Sequence, residues 1–269
     1  MNKFMIRCDV EGVSGVVDYE QATPGSPEFH VGEAMLMSDL TALVKGLNEG
    51  GADEIWIYDE HYHGRNVELA ALPENCFVIC GKPPYKKNWA GGLDATFTGL
   101  ILLGFHSKNG TGELLHHSYE PDIRELLLNG TSVGEIGIET AIAGDYDVPL
   151  IMITADSAGI EEARAIAPEV EGVSVKTSLC ESGGVCPASR LTARLIRQTA
   201  AKVAGTPPSV TPWRLLQPEL VVQFNPGSYR ETFRSLHSCG DQIVIRGATV
   251  TECWADYWRM KLETQRAMT

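Results

Sequence analysis

Four short apolar runs, each followed at once by polar residues, constrain the fold of this chain more than any other feature. Their positions are residues 4–8, 54–58, 100–105 and 150–155. Runs of this length are typical of buried strands. Between the first two, residues 33–48 place leucine and valine along one helical face, and the pattern ends at Gly50 and Gly51. Because strands and helix alternate, we predict an α/β fold with a mostly parallel sheet flanked by helices.

The middle of the chain predicts a hairpin and further helices. Asn129 and Gly130 separate two short runs, and an Asn-Gly pair supplies the positive φ angles of a type I′ hairpin turn. Helical patterns follow at residues 134–144, 158–167 and 187–203.

The C-terminal part predicts a separate, smaller unit. Residues 205–218 contain four prolines, which indicates a connector. Beyond it, two strand patterns at 220–224 and 242–245 precede a helical pattern at 252–266. We therefore expect an α/β catalytic domain over residues 1–205 and a smaller C-terminal α+β unit over residues 206–269.

Composition and charge exclude several classes of protein. The 269 residues carry a formal net charge of -13, which repels phosphate backbones and argues against nucleic-acid binding. Arg7 and Asp9 interrupt the first apolar run, which argues against a signal peptide. The run at 100–105 is far shorter than the ~20 residues that span a bilayer. With seven cysteines and no Cys-x-x-Cys pair, reduced thiols in the cytoplasm are the simplest interpretation.

Two carboxylates follow the first predicted strand, where open α/β sheets bind ligands. Asp9 and Glu11 are two residues apart, so their side chains point the same way in extended backbone. Such a pair suits a divalent cation, although two acids at a strand end are also common as solvated or capping groups. The Asp-x-Glu-Gly run also resembles the nucleophile loop of haloacid-dehalogenase-type phosphatases, but no downstream acidic pair for magnesium accompanies it.

Histidines follow the next two predicted strands. His61 and His63 share one face after the second strand, and imidazole suits zinc better than magnesium. His106 comes directly after the third strand, and each of these histidines is also compatible with a hydrogen-bonded structural role. His116 and His117 lie in a glycine-rich polar loop that is suited to a general acid–base or an oxyanion donor.

Glu135 lies at the predicted start of a helix, between Gly134 and Gly137. A carboxylate there is favoured by the helix dipole. The flanking glycines also allow a metal or substrate to approach closely, which favours a functional role.

Together these motifs resemble the zinc D-aminopeptidase family, typified by the enzyme of the bacterial dipeptide-transport operon. The similarity runs in the family's order over most of the chain and weakens after about residue 207. The motifs that carry it are Asp9-x-Glu11-Gly12-x-Ser14-Gly15, Asp59-x-His61, Gly104-x-His106, His117-Ser118 and Val133-Gly134-Glu135-x-Gly137.

The resemblance implies a binuclear zinc peptidase acting on short peptides, D-amino-acid peptides among them. It implies that His117 is catalytic, that Asp59 orients a ligand and that the chain forms a homo-oligomer, a decamer in the family enzyme. Two Zn²⁺ ions, three carboxylates and one hydroxide sum to zero charge, which suits a partly buried site. The residues implied to hold the two ions are Asp9, Glu11, His61, His106 and Glu135, with Asp9 as the bridge.

Three positions depart from the family pattern. Glu60 and Glu139 stand where the family enzyme has serine and asparagine, and His116 replaces a small residue. Added carboxylates near the metals predict a preference for a cationic substrate group.

Two other functions stay open from the sequence. One is a two-metal hydrolase of other small amides, such as L-peptides or N-acyl compounds. The other is a non-catalytic peptide-binding protein with a structural metal, which the excess of ligands over a closed set of four disfavours.

Overall fold

The structure is a computed structural model that describes the backbone of residues 1–228 and 241–268 and the side chains up to residue 263. Cys239 lies outside the described residues. The strands are β1 (Lys3–Cys8), β2 (Glu54–Asp59), β3 (Cys76–Ile79), β4 (Gly99–Phe105), β5 (Ile123–Leu128), β6 (Thr131–Val133), β7 (Leu150–Asp156), β8 (Glu171–Cys180), β9 (Gly183–Val185), β10 (Glu219–Phe224) and β11 (Gln242–Arg246). The helices are α1 (Tyr19–Ala22), α2 (Phe29–Glu49), α3 (Glu135–Asp145), α4 (Ser157–Ile166), α5 (Ser189–Gly205) and α6 (Val250–Met268).

A seven-stranded sheet forms the centre of the protein, in the order β3-β2-β1-β4-β7-β8-β9. All neighbouring strands are parallel except β9, which returns antiparallel to β8. Every residue of β4 and β7 is buried, because helices cover both faces of a parallel sheet. The predicted fold class is confirmed.

The two faces of this sheet pack against different helices. On one face, α2 presents Leu36, Leu40, Leu43 and Leu47, which share one helical stripe and pack in the same core cluster as Ile196 of α5. On the other face lie α3 and α4, and the C-terminal helix α6 packs against α3. Within the described ranges, no helix is long and apolar enough to span a bilayer.

A second, four-stranded sheet has the order β11-β10-β5-β6 and is antiparallel throughout. The predicted hairpin joins β5 to β6, with φ angles of 48° at Asn129 and 80° at Gly130. Because β5 and β6 belong to residues 123–133, the C-terminal strands do not form this sheet alone. The division of the chain after residue 205 stays a prediction.

Candidate metal centre

The central strands bring the predicted site residues to one edge of the main sheet. β1 pairs with β2 on one side and with β4 on the other, so their carboxyl ends lie side by side. Asp9, His61 and His106 follow these three strands, and Glu135 begins α3. Asp9, Glu11, His61, His106 and Glu135 are all buried. Five sequence-predicted ligands therefore converge, and His117 lies beside them.

Asp9, Glu11 and His61 form the first group of potential metal ligands, with one donor atom of each within 4.8 Å of the others. Nδ1 of His61 lies 2.9 Å from Oδ1 of Asp9 and 2.9 Å from Oε2 of Glu11. Nε2 of the same ring lies 2.6 Å from the carbonyl oxygen of Ala22. A proton on Nε2 that is donated to this carbonyl orients Nδ1 toward the two carboxylates.

His106, His117 and Glu135 form the second group. Nε2 of His106 lies 3.4 Å from Oε1 of Glu135 and 3.5 Å from Oδ2 of Asp9. The His106 and His117 rings stack with their centroids 4.1 Å apart. Asp9 therefore turns one carboxylate oxygen toward each group, Oδ1 toward His61 and Oδ2 toward His106.

The chemistry of these residues fits divalent cations of the zinc type. Oε2 of Glu11 and Nε2 of His106 are buried and face the neighbouring ligand groups, yet neither makes a hydrogen bond of regular geometry within the described part of the chain, which is costly unless another group satisfies them. Burial lowers the pKa of the His61 and His106 imidazoles, but the surrounding carboxylates outweigh it and raise both pKa values well above the usual one. Concentrated negative charge beside imidazole nitrogen is a donor set that zinc prefers.

The loop that carries Asp9 and Glu11 is held on several sides. A Cβ atom at Gly12 would lie 1.8 Å from the carbonyl oxygen of Phe105, so only glycine fits between the two loops. The buried ammonium of Lys176 donates to the carbonyl oxygens of Glu11 and Val16. These contacts to the backbone of the loop thus fix the positions of Asp9 and Glu11 relative to each other.

Asp39, on α2, holds the next turn of the same loop. Its carboxylate accepts 2.9 Å hydrogen bonds from the backbone N–H and the hydroxyl of Ser14. Burial raises the pKa of Asp39 to about 6. Neither Asp39 nor Lys176 was identified from the sequence. For Asp39 the available signal is a charged residue at a core position of a predicted helix, whereas Lys176 lies in β8, where no strand was predicted.

Asp59 occupies the position expected of a group that orients a ligand. It accepts hydrogen bonds from the backbone N–H of His61 at 3.2 Å and of Asn66 at 2.6 Å. These contacts fix the turn that carries the His61 ring.

Three other histidines of the described ranges lie outside the two groups, and His237 lies outside the described residues. His63 and His30 are exposed. His116 accepts from the N–H of Gly110 through Nδ1 at 3.1 Å, and its Nε2 lies 3.5 Å from Oε1 of Glu181. His116 therefore lies at the rim, beside a glutamate of the β8–β9 turn.

Glu60 and Glu139 do not add free negative charge to the site. Both face the guanidinium of the fully buried Arg7, with Glu60 Oε1 at 3.4 Å and Glu139 in direct ion-pair contact. Tyr85 donates to Glu60 at 2.9 Å, and Arg7 donates to the Tyr85 hydroxyl at 3.1 Å. We call Arg7, Glu60, Tyr85 and Glu139 the Arg7 cluster. Nζ of Lys82 lies 3.0 Å from the other oxygen of Glu60. Since Arg7 and Lys82 together offset these two charges, the preference for a cationic substrate group predicted from the two carboxylates does not follow.

Comparison with known proteins relates the sequence and the fold of this chain to one family. The sequence model of the D-aminopeptidase family matches residues 2–242. A D-aminopeptidase of Bacillus subtilis (strain 168) is 28% identical over 200 residues, which are 74% of this chain and 72% of that protein. The solved structure of the Zn-dependent D-aminopeptidase DppA from Bacillus subtilis, described as a self-compartmentalizing protease, superposes with a TM-score of 0.90. It is 24% identical and covers 98% of each chain, which shows a shared fold.

Proposed function

This chain belongs to the D-aminopeptidase family, and we propose that its metal centre holds two zinc ions and hydrolyses the N-terminal amide bond of short peptides, D-amino-acid peptides among them. The observation that carries this proposal is the pair of ligand groups that share Asp9. Its two carboxylate oxygens face His61 and His106 separately.

Five residues are assigned to the ions. Asp9, Glu11 and His61 would hold one, and His106 and Glu135 would hold the other, with Asp9 contributing to both. When bound, zinc supplies Lewis-acid polarisation of the scissile carbonyl and a water of lowered pKa. The protein's own contribution is to keep these donors close together and largely shielded from solvent.

His117 is assigned to proton transfer. Its Nδ1 lies 2.9 Å from the carbonyl oxygen of Leu115, so a proton on Nδ1 is donated there and the neutral ring carries its lone pair on Nε2. Nε2 lies 3.7 Å from Glu135, and the side chain is 21% exposed. A lone pair that faces both the ligands and solvent can accept a proton and deliver it to the leaving amine.

The similarity to DppA also suggests how the protein assembles. DppA is described as self-compartmentalizing, and this chain exposes Leu179 and Val185 on the β8–β9 hairpin and Leu191 on α5. We infer a homo-oligomer, a decamer by resemblance. The free cysteines of the described residues support the further inference that it resides in the cytoplasm. Light scattering on the purified protein measures the subunit number.

The assignment is tested with His117→Ala, using His63→Ala as the matched control because His63 is exposed and outside the two groups. We expect His117→Ala to keep about two zinc ions per chain and to lose about 10²–10⁴-fold in kcat, the usual contribution of a general acid–base. His63→Ala should match the wild type in both. Full activity in His117→Ala would contradict the assignment.

Substrate class is tested by comparing D-aminoacyl amides, L-aminoacyl amides and N-acylated amides. An aminopeptidase requires the free amine, so we expect no turnover of the blocked compounds. Preferred turnover of N-acyl amides would favour a general amide hydrolase. Peptide binding without any turnover by the zinc-loaded protein would favour a non-catalytic role.

A further inference from the structure

Tyr119 links two carboxylates that lie one turn apart on α3. Its backbone N–H donates to Oε1 of Glu135 at 2.6 Å, and its hydroxyl donates to Oε1 of Glu139 at 2.8 Å. Glu135 and Glu139 are four residues apart and therefore share one face of the helix. One residue thus connects an assigned metal ligand to the Arg7 cluster.

The backbone around His117 adopts conformations that its residues do not favour. We call residues 115–119 the His117 loop, and it is bounded by Leu115 at φ 52° and Tyr119 at φ 58°. Positive φ costs energy for bulky side chains, so surrounding contacts have to maintain it. The Tyr119 ring packs on Trp254 of α6 with centroids 4.6 Å apart. The shape of the loop therefore depends on how Tyr119 is anchored.

Glu139 provides a fixed anchor for the Tyr119 hydroxyl. Its second oxygen is paired with Arg7, which is buried and also donates to the carbonyl oxygen of Ala90 at 2.6 Å. Because breaking a buried ion pair is strongly unfavourable, the Glu139 carboxylate stays in position to accept the Tyr119 hydroxyl.

We propose that Tyr119, anchored by Glu139 and Arg7, is a positioning residue that sets the orientation of Glu135 and of the His117 loop. This inference rests on the proposed function, because it assigns Glu135 to a metal ion and His117 to catalysis. Tyr119 acts indirectly, through Glu135 and the His117 loop. Its hydroxyl donates to Glu139 of α3 and its backbone N–H donates to Glu135.

Tyr119→Phe tests the inference by removing one hydroxyl while keeping the ring that packs on Trp254. Tyr58→Phe is the matched control, because the buried Tyr58 hydroxyl has no hydrogen-bond partner among the residues that the structure describes. We measure zinc affinity by chelator competition, kcat and KM separately, and the melting temperature of the metal-free protein. For Tyr119→Phe we expect zinc to bind about 10–100-fold more weakly, as for other groups that orient metal ligands, and kcat to fall with KM little changed.

A second pair of variants separates positioning from stability. Glu139→Gln keeps an acceptor for the Tyr119 hydroxyl, whereas Glu139→Ala removes it, so the glutamine variant should retain more zinc affinity. Equal zinc affinity in these two variants, or wild-type zinc affinity and kcat in Tyr119→Phe, would overturn the inference.

The same measurements distinguish failure of the proposed function from failure of the positioning role. If the wild-type protein hydrolyses no peptide amide, the proposed function fails, while zinc affinity still decides whether Tyr119 positions Glu135. If the wild type is active and Tyr119→Phe matches it in every measurement, only the positioning role fails.

Discussion

Replacing Asp39 with asparagine should stabilise the protein at neutral and alkaline pH. Burial raises the pKa of Asp39 from 3.8 to about 6, so the folded state resists ionisation of this group. Below pH 3.8 the Asp39 carboxyl is protonated in both the folded and the unfolded protein, so its burial causes no loss of stability through ionisation. Between pH 3.8 and about 6 the Asp39 carboxyl ionises in the unfolded chain but stays protonated in the folded protein. The free energy of unfolding therefore falls by about 1.4 kcal/mol per pH unit, or about 3 kcal/mol in all.

An asparagine side chain at this position would remove the penalty while keeping the shape of the aspartate. Its amide oxygen can accept from the N–H of Ser14, and its NH₂ group can donate to the Ser14 hydroxyl. At about pH 8 we therefore expect Asp39→Asn to be up to about 3 kcal/mol more stable than the wild type. Near pH 3.5 the two proteins should be about equally stable.

Urea unfolding of the metal-free proteins between about pH 3.5 and pH 8 measures this difference. Removing zinc beforehand keeps metal binding from adding its own pH dependence. Glu74→Gln is the control, because Glu74 is exposed, and it should follow the wild type throughout. A difference between Asp39→Asn and wild type that does not grow with pH would refute the reasoning.

Two further substitutions test the packing beneath the site. Arg7→Met leaves the buried Glu139 carboxylate without its cationic partner, while Glu60 keeps Lys82; it should cost about 3–5 kcal/mol in urea unfolding, whereas Arg197→Met, in an exposed pair, should change stability far less. Gly12→Ala forces a Cβ atom to within 1.8 Å of a Phe105 backbone oxygen and should cost about 1–3 kcal/mol and weaken zinc binding in chelator competition. Its control is Gly205→Ala, whose Cβ would meet its nearest neighbour at 3.7 Å; equal stability of the two glycine variants would contradict the packing argument.

The parallel sheet was predictable because its strands are short and apolar on both faces. β4 and β7 are continuous apolar runs, and the leucine stripe of α2 has helical spacing. The Asn129-Gly130 turn was equally clear, since few other pairs adopt two successive positive φ angles. The pairing of β5 with β10 was not predictable, because register between strands about 90 residues apart leaves no local pattern.

The site followed from one rule, that polar residues after parallel strands meet at one sheet edge. That rule located Asp9, His61 and His106, and the resemblance to a known family added the roles of Glu135 and His117. The partners of these residues could not be found in this way. Glu139 was interpreted as a free charge because nothing local in the sequence links it to a guanidinium in β1.

The β5–β6 hairpin, which precedes Glu135, pairs with β10, a strand that lies about 90 residues later in the sequence. Glu219 donates from its backbone to the Asn129 side chain, 90 residues earlier. During synthesis, the β5–β6 hairpin therefore emerges long before its partner does. We expect a ribosome-bound chain that stops short of β10 to carry all five proposed ligands but to lack the strand that pairs with β5, so that zinc should bind tightly only after β10 has been synthesised.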